Sequence, residues 1–173
     1  MKYANIKYYD VANGPGVRTS LFVSGCTHRC EGCFNEIAWD FGYGRDFTKE
    51  TIAEIVDSLR EDYIAGITLL GGEPMEKVNQ VELIKLLREL KKIHPGKTVW
   101  CYTGYTYDED FKQGARAYTE VSDEFLNLVD VLVDGKFIIS LMDIRLKFRG
   151  SSNQRIIDMN QTRKNNEITL WEG

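Results

Sequence analysis

The sequence predicts an α/β fold: a partial, open β/α barrel built on a mostly parallel sheet. Three observations predict it. Short runs of β-branched and aromatic residues alternate with stretches of helical periodicity, the pattern of parallel strands joined by right-handed crossovers. At 173 residues the chain can bury one proper core, yet it falls short of the about 250 residues of a closed eight-fold barrel. No internal repeat, low-complexity segment or linker interrupts residues 1–173, which are read as one domain.

Taken in order, residues 3–9 and 17–24 have strand character and are joined by the turn Asn13-Gly14-Pro15-Gly16. A cysteine-bearing loop and an aromatic, glycine-containing segment to Phe47 follow. Thr48 is placed to cap a helix running to about Glu61, with Ile52, Ile55, Val56 and Leu59 on one face. Ile67-Thr68-Leu69-Leu70 reads as a short buried strand entering Gly71-Gly72-Glu73-Pro74. A helix over 80–93 presents Val81, Ile84, Leu87 and Leu90, and His94-Pro95-Gly96 ends it. Strands are then expected at Thr98–Thr103 and Val131–Val133, with a short helix at Ser122–Leu128 between them. Further strands are expected at Arg155–Met159 and Ile168–Trp171, and a turn at Gly150–Asn153.

The bulk composition narrows the function. Hydrophobic residues make up 43% and charged residues 28%, an ordinary globular balance, and the net charge of −4 argues against a phosphate-backbone partner. The opening residues carry no signal peptide and no stretch reaches the length of a membrane span. A reducing cytoplasm is therefore the expected setting, where clustered cysteines serve metal or redox chemistry more often than disulfides.

Such a cluster lies at Cys26, Cys30 and Cys33, three thiols within eight residues directly after a strand. Thiolates are soft ligands suited to zinc, copper(I) or iron–sulfur clusters. A closed structural zinc site or a closed iron–sulfur cluster takes four protein ligands. Three thiolates on a 4Fe–4S cluster would leave one iron open to a small molecule. With His28 or Cys101 as a fourth ligand, the same loop would instead be a zinc-binding interaction module.

The Cys-x3-Cys-x2-Cys spacing resembles the signature of the radical S-adenosylmethionine enzymes. Gly14-Pro15-Gly16-Val17-Arg18 ahead of it resembles the lead-in of the glycyl-radical-activating branch. Gly71–Pro74, Tyr102-Thr103-Gly104-Tyr105, Val133-Asp134-Gly135-Lys136-Phe137 and Phe148–Arg155 extend the likeness over nearly the whole chain. The resemblance implies a partial barrel of radical S-adenosylmethionine type, one 4Fe–4S cluster on the three cysteines, and S-adenosylmethionine on the open iron. It further implies a 5′-deoxyadenosyl radical that takes hydrogen from a glycine of a partner, here the large subunit of an anaerobic ribonucleoside-triphosphate reductase. Flavodoxin or ferredoxin is the implied electron donor. A radical enzyme acting on a small heterocycle is the rival within the superfamily; it leaves Gly14–Arg18 and Arg149–Arg155 unaccounted for.

The resemblance also assigns residues. Gly71, Gly72, Glu73 and Pro74 would bind the cofactor's methionine moiety, Glu73 by accepting from its ammonium or by fixing the loop. Asp134 and Lys136 match positions near the cofactor carboxylate and a possible cation, the plainer reading being a solvated turn. Thr103 would line the same mouth. Many of these enzymes carry an aromatic residue just before the third cysteine, to meet the adenine; here that position is Gly32 and Phe34 comes just after.

Other residues carry plainer expectations. His28 is read as a loop-ordering donor, His94 as a helix-end residue and Cys101 as a small buried hydrophobe. Arg18 could serve partner or cofactor binding, but a surface salt bridge is the expected fate of a lone arginine. Trp39, Phe41, Tyr43 and Phe47 are read first as packing, second as a cluster shield or partner surface.

Overall fold

The computed structural model describes all residues from Met1 to Gly173. Seven strands form one sheet: β1 (Lys2–Asp10), β2 (Val17–Val23), β3 (Arg45–Asp46), β4 (Ile64–Gly71), β5 (Thr98–Tyr102), β6 (Val131–Asp134) and β7 (Arg155–Asp158). Five helices accompany them: α1 (Lys49–Ser58), α2 (Lys77–Ile93), α3 (Tyr107–Asp110), α4 (Ser122–Leu128) and α5 (Met159–Asn165). The strand order is β3-β1-β2-β4-β5-β6-β7. β2, β4, β5 and β6 run parallel, while β1, β3 and β7 add antiparallel edges. The two edge strands do not pair with each other, so the sheet is open.

Strand alternation divides the side chains between two faces. Leu21, Ile67, Leu69, Val99, Cys101 and Leu132 enter the main core. There they meet α1 through Ile55 and Val56, α2 through Leu83, Ile84 and Leu87, and α4 through Phe125. Each such side chain contributes roughly 1.5–3 kcal/mol on burial. Thr48 caps α1 as expected, accepting from the Thr51 N–H at 3.3 Å, with Thr51 Oγ1 returning to the Thr48 N–H at 3.2 Å. The buried face of α2 takes in Leu83 and Leu86, and Val81 stays half-buried at its margin. His94 does more than end α2: its Nε2 lies 3.0 Å from the Val56 carbonyl oxygen and ties α2 to α1.

The opposite face carries Arg18, Thr68, Trp100 and Tyr102, and its lower part is plugged by the edge-on aromatic group Trp100, Phe148 and Trp171. Arg18 corrects the expectation of a surface salt bridge, being only 1% exposed with no carboxylate partner. Its five N–H groups go to neutral oxygens instead. Nε donates to Thr68 Oγ1, and the two terminal nitrogens donate to Thr98 Oγ1 and to the carbonyls of Pro15, Ile67 and Thr98, all at 2.8–3.3 Å. Burial lowers its pKa to about 10. The Gly14–Gly16 turn thus gains a structural role, since it brings the Pro15 carbonyl onto this guanidinium.

The end of the chain differs from expectation. Ile168–Trp171 forms no strand; Leu170 makes a single bridge to Ile157, and Trp171 turns onto Trp100. Strand β7 stops at Asp158, which caps an unanticipated α5 by accepting from the Gln161 N–H at 2.9 Å. No helix is long and apolar enough to cross a membrane.

Candidate metal and cofactor site

The cysteine loop leaves the C-terminal end of β2, and its shape is set by the turn between β4 and α2. The Gly72 N–H donates to the Val23 carbonyl and the Glu73 N–H to the Gly25 carbonyl, both at 2.8 Å. Glu76 Oε1 accepts from the N–H and the hydroxyl of Thr27, both at 2.6 Å. Asn79 donates to the carbonyls of Ser24 and Glu73 at 3.0 and 2.9 Å. The residues at 73, 76 and 79 therefore share one helix-entry turn and hold the loop from one side.

The glycines make this approach possible. A Cβ at Gly72 would lie 2.6 Å from the Gly25 carbonyl oxygen and 2.8 Å from that of Ala38, both fixed backbone atoms. Their demonstrated use is backbone packing against the cysteine loop. Gly72→Ala is expected to cost about 1–3 kcal/mol in urea unfolding, because neither carbonyl can yield without moving the loop.

A cavity of about 390 Å³ opens at the C-terminal ends of β4 and β5, the edge where open α/β sheets bind ligands. It gathers most of the expected site: Cys26, Cys30 and Cys33, with Gly71, Gly72 and Glu73, and Thr103 and Phe34 at its wall and rim. Phe34 is 91% exposed. Thr103 also caps its strand, accepting from the Tyr105 N–H at 3.1 Å. Pro74 is buried behind the turn and does not line the cavity.

Asp134 and Lys136 lie outside the lining. Asp134 accepts a forked pair from Arg155 at 2.9 and 2.5 Å and the Tyr107 N–H at 2.8 Å, and it is buried. Lys136 is exposed, and its charge acts on the Cys30 thiol.

Burial pushes the Cys26 thiol up to about 12, with the Glu73 charge adding to it and the N–H groups of His28 and Arg29 opposing. Burial also raises Cys30, against the pull of Lys136 and the Phe137 N–H. Such thiols ionise when a metal displaces their protons, and a soft three-thiolate donor set around one cavity fits an iron–sulfur cluster. No three Cys, His, Asp or Glu side chains converge to hold a single metal ion. Cys101 lies on the opposite face within the core, fully buried, where it cannot be a fourth ligand.

Sequence reasoning missed several wall residues. Asn13 from the lead-in turn, Tyr102, Arg149 and Gln154 all line the cavity. Gln154 explains part of the Gly150–Arg155 segment: its Oε1 accepts the N–H groups of Gly150 and Ser151 at 2.8 and 3.0 Å, and its Nε2 donates to the Gly135 carbonyl at 3.0 Å. This turn folds the late segment back across the site. Of the four aromatic residues after the cysteines, only Phe47 is core packing, edge-on to Tyr3. Phe41 and Tyr43 line an open groove of about 620 Å³ on the other flank of the loop, and Trp39 lines both that groove and the cavity of the three cysteines.

Comparison with known proteins agrees with this geometry. Residues 12–157 match the family model described as a 4Fe-4S single cluster domain. The anaerobic ribonucleoside-triphosphate reductase-activating protein of Escherichia coli (strain K12) is 40% identical over 156 residues, covering 89% of this chain and 96% of that protein. The protein of the same name from Enterobacteria phage T4 is 42% identical over 156 residues, covering 90% and 93%. That from Haemophilus influenzae is 42% identical over 155 residues, covering 87% and 95%. The chain belongs to the 4Fe-4S single cluster domain family, among the anaerobic ribonucleoside-triphosphate reductase-activating proteins.

Proposed function

We propose that this chain is a cytoplasmic activating enzyme that installs a glycyl radical on the large subunit of an anaerobic (class III) ribonucleoside-triphosphate reductase. The observation that carries the reading is the convergence of Cys26, Cys30, Cys33 and Glu73 on one cavity at the ends of the parallel strands. When bound there, a 4Fe–4S cluster and S-adenosylmethionine supply one-electron cleavage to a 5′-deoxyadenosyl radical, with flavodoxin or ferredoxin as the external electron source.

The chain's own residues bind, orient and exclude water. Cys26, Cys30 and Cys33 each give one thiolate. Glu73 offers its oxygen to the cofactor ammonium, while Gly71, Gly72 and Pro74 build the turn that aims it. Thr103 at the wall and Phe34 at the rim would meet the cofactor, Phe34 as the candidate for the adenine. Lys136, outside the lining, would act on the cofactor carboxylate only through its charge, and Asp134 would hold Arg155. The sheet is the partial barrel of radical S-adenosylmethionine type, and residues 1–173 act as one domain. A target glycine suits the reaction because it has no side chain to block its α-carbon.

Anaerobic incubation of the reconstituted, reduced protein with S-adenosylmethionine and the large reductase subunit tests the proposal. A glycyl-radical doublet in the electron paramagnetic resonance spectrum of the reductase, absent without S-adenosylmethionine, is the expected result. Cofactor cleavage with no radical on the reductase would overturn the assigned substrate and favour a small-molecule enzyme.

A further inference from the structure

His28 lies inside the cysteine loop and lines the cavity with the three cysteines, its Nε2 set on Glu73 of the β4–α2 turn. Its side chain is 7% exposed and that of Glu73 is 1% exposed. His28 Nε2 lies 2.9 Å from Glu73 Oε2, which also accepts the Gly104 N–H at 2.7 Å. Glu73 Oε1 accepts the Met75 N–H at 2.8 Å. A carboxylate offers about four acceptor sites. Three are filled by the protein, and one on Oε1 remains for a ligand.

The imidazole is itself held tightly. It meets the Tyr105 ring edge-on, with centroids 4.4 Å apart and planes at 66°. It also packs against Gly104, where a Cβ would come within 2.6 Å of the ring. The ring therefore joins three strand-end segments: the cysteine loop, the β4–α2 turn and the β5 end. A side chain serving only to fill this space would need no donor aimed at a buried carboxylate.

We infer that His28 is a positioning residue for S-adenosylmethionine: it holds Glu73 in the rotamer that leaves one Oε1 site open toward the cofactor's ammonium. His28 also lines the cavity beside Glu73, and its effect on the cofactor runs through that carboxylate. The inference rests on the proposed role of Glu73, and it goes further in making cofactor affinity depend on a residue between two cluster ligands that is not itself a ligand.

The test measures S-adenosylmethionine binding to the reconstituted protein by equilibrium dialysis, with iron and sulfide counted in every variant. His28→Leu keeps the bulk and removes the donor; it is expected to retain the cluster and to weaken binding about tenfold. His28→Gln keeps a donor and is expected to bind within about threefold of the unaltered protein. Glu73→Gln is expected to weaken binding at least as much as His28→Leu, and the double variant no more than Glu73→Gln alone, because both act through one carboxylate.

Unchanged affinity in His28→Leu, equal losses in His28→Leu and His28→Gln, additive losses in the double variant, or loss of the cluster in His28→Leu would each overturn the inference. Failure of the unaltered protein to bind S-adenosylmethionine would overturn the proposed function itself. Weakening by Glu73→Gln but not by His28→Leu would overturn the role of His28 alone.

Discussion

Replacing Cys26, Cys30 or Cys33 by alanine is expected to lower 5′-deoxyadenosine formation by on the order of a thousandfold or more, as loss of one member of an interdependent catalytic unit does. The three thiols line one cavity and no other cysteine reaches it, so no neighbour replaces a missing ligand. The fold is expected to survive. Cys30 and Cys33 are half-buried on a loop, and their removal should change the stability of the metal-free protein by no more than about 0.5 kcal/mol. Cys26 is more buried and should cost about 1 kcal/mol. Cys101→Ala supplies the contrast. It sits in the core on the far face, so it should cost about 1 kcal/mol of stability and leave iron content and activity unchanged. Full activity in any of the first three variants would contradict the ligand assignment.

The second large effect falls on stability. Arg18→Ala removes a fully buried side chain and leaves several acceptors without a donor, among them the carbonyls of Pro15, Ile67 and Thr98. Truncating a large buried residue costs about 2–5 kcal/mol, and a stranded buried acceptor about 1–3 kcal/mol. Against this, the variant no longer has to bury a charge, whose cost is visible in the lowered guanidinium pKa. A net loss of about 3 kcal/mol is expected, read as a shift in the urea midpoint at unchanged slope. Arg18→Lys should recover only part of it, since an ammonium cannot serve acceptors spread around a planar fork. The loss should extend to the site, because Ala12 and Asn13 on the adjoining turn line the cavity. A change under about 1 kcal/mol in Arg18→Ala would show that the buried network contributes little.

Arg18 also marks where reading the sequence stops. A lone arginine at the start of a strand carries no sign that its partners will be carbonyls from two other strands and a turn. Helices α1 and α2 and the four parallel strands were legible, because hydrophobic periodicity and the Thr48 cap are local signals, but α2 begins at Lys77 and not at 80, and α1 ends at Ser58 and not at about Glu61. The cysteine loop, Gly71–Glu73 and Thr103 were expected from the resemblance of their motifs, and they line one cavity. His28 was legible as an ordering donor, but its acceptor, 45 residues away, was not. Helix α5 has a polar sequence that buries only Met159 and Thr162, so periodicity is silent there; Asp158 with Gln161 three residues on was the usable signal. Arg149 and Gln154 reach the cavity through a turn whose bonds run to Gly135 and back, a long-range closure that no local pattern encodes.

The most direct test of the central claim is anaerobic reconstitution with iron and sulfide, reduction, and measurement of 5′-deoxyadenosine released from S-adenosylmethionine. The account predicts a brown protein with one 4Fe–4S cluster that forms the product, and forms none once any of Cys26, Cys30 and Cys33 is replaced. A colourless protein that retains zinc and releases no 5′-deoxyadenosine would contradict it.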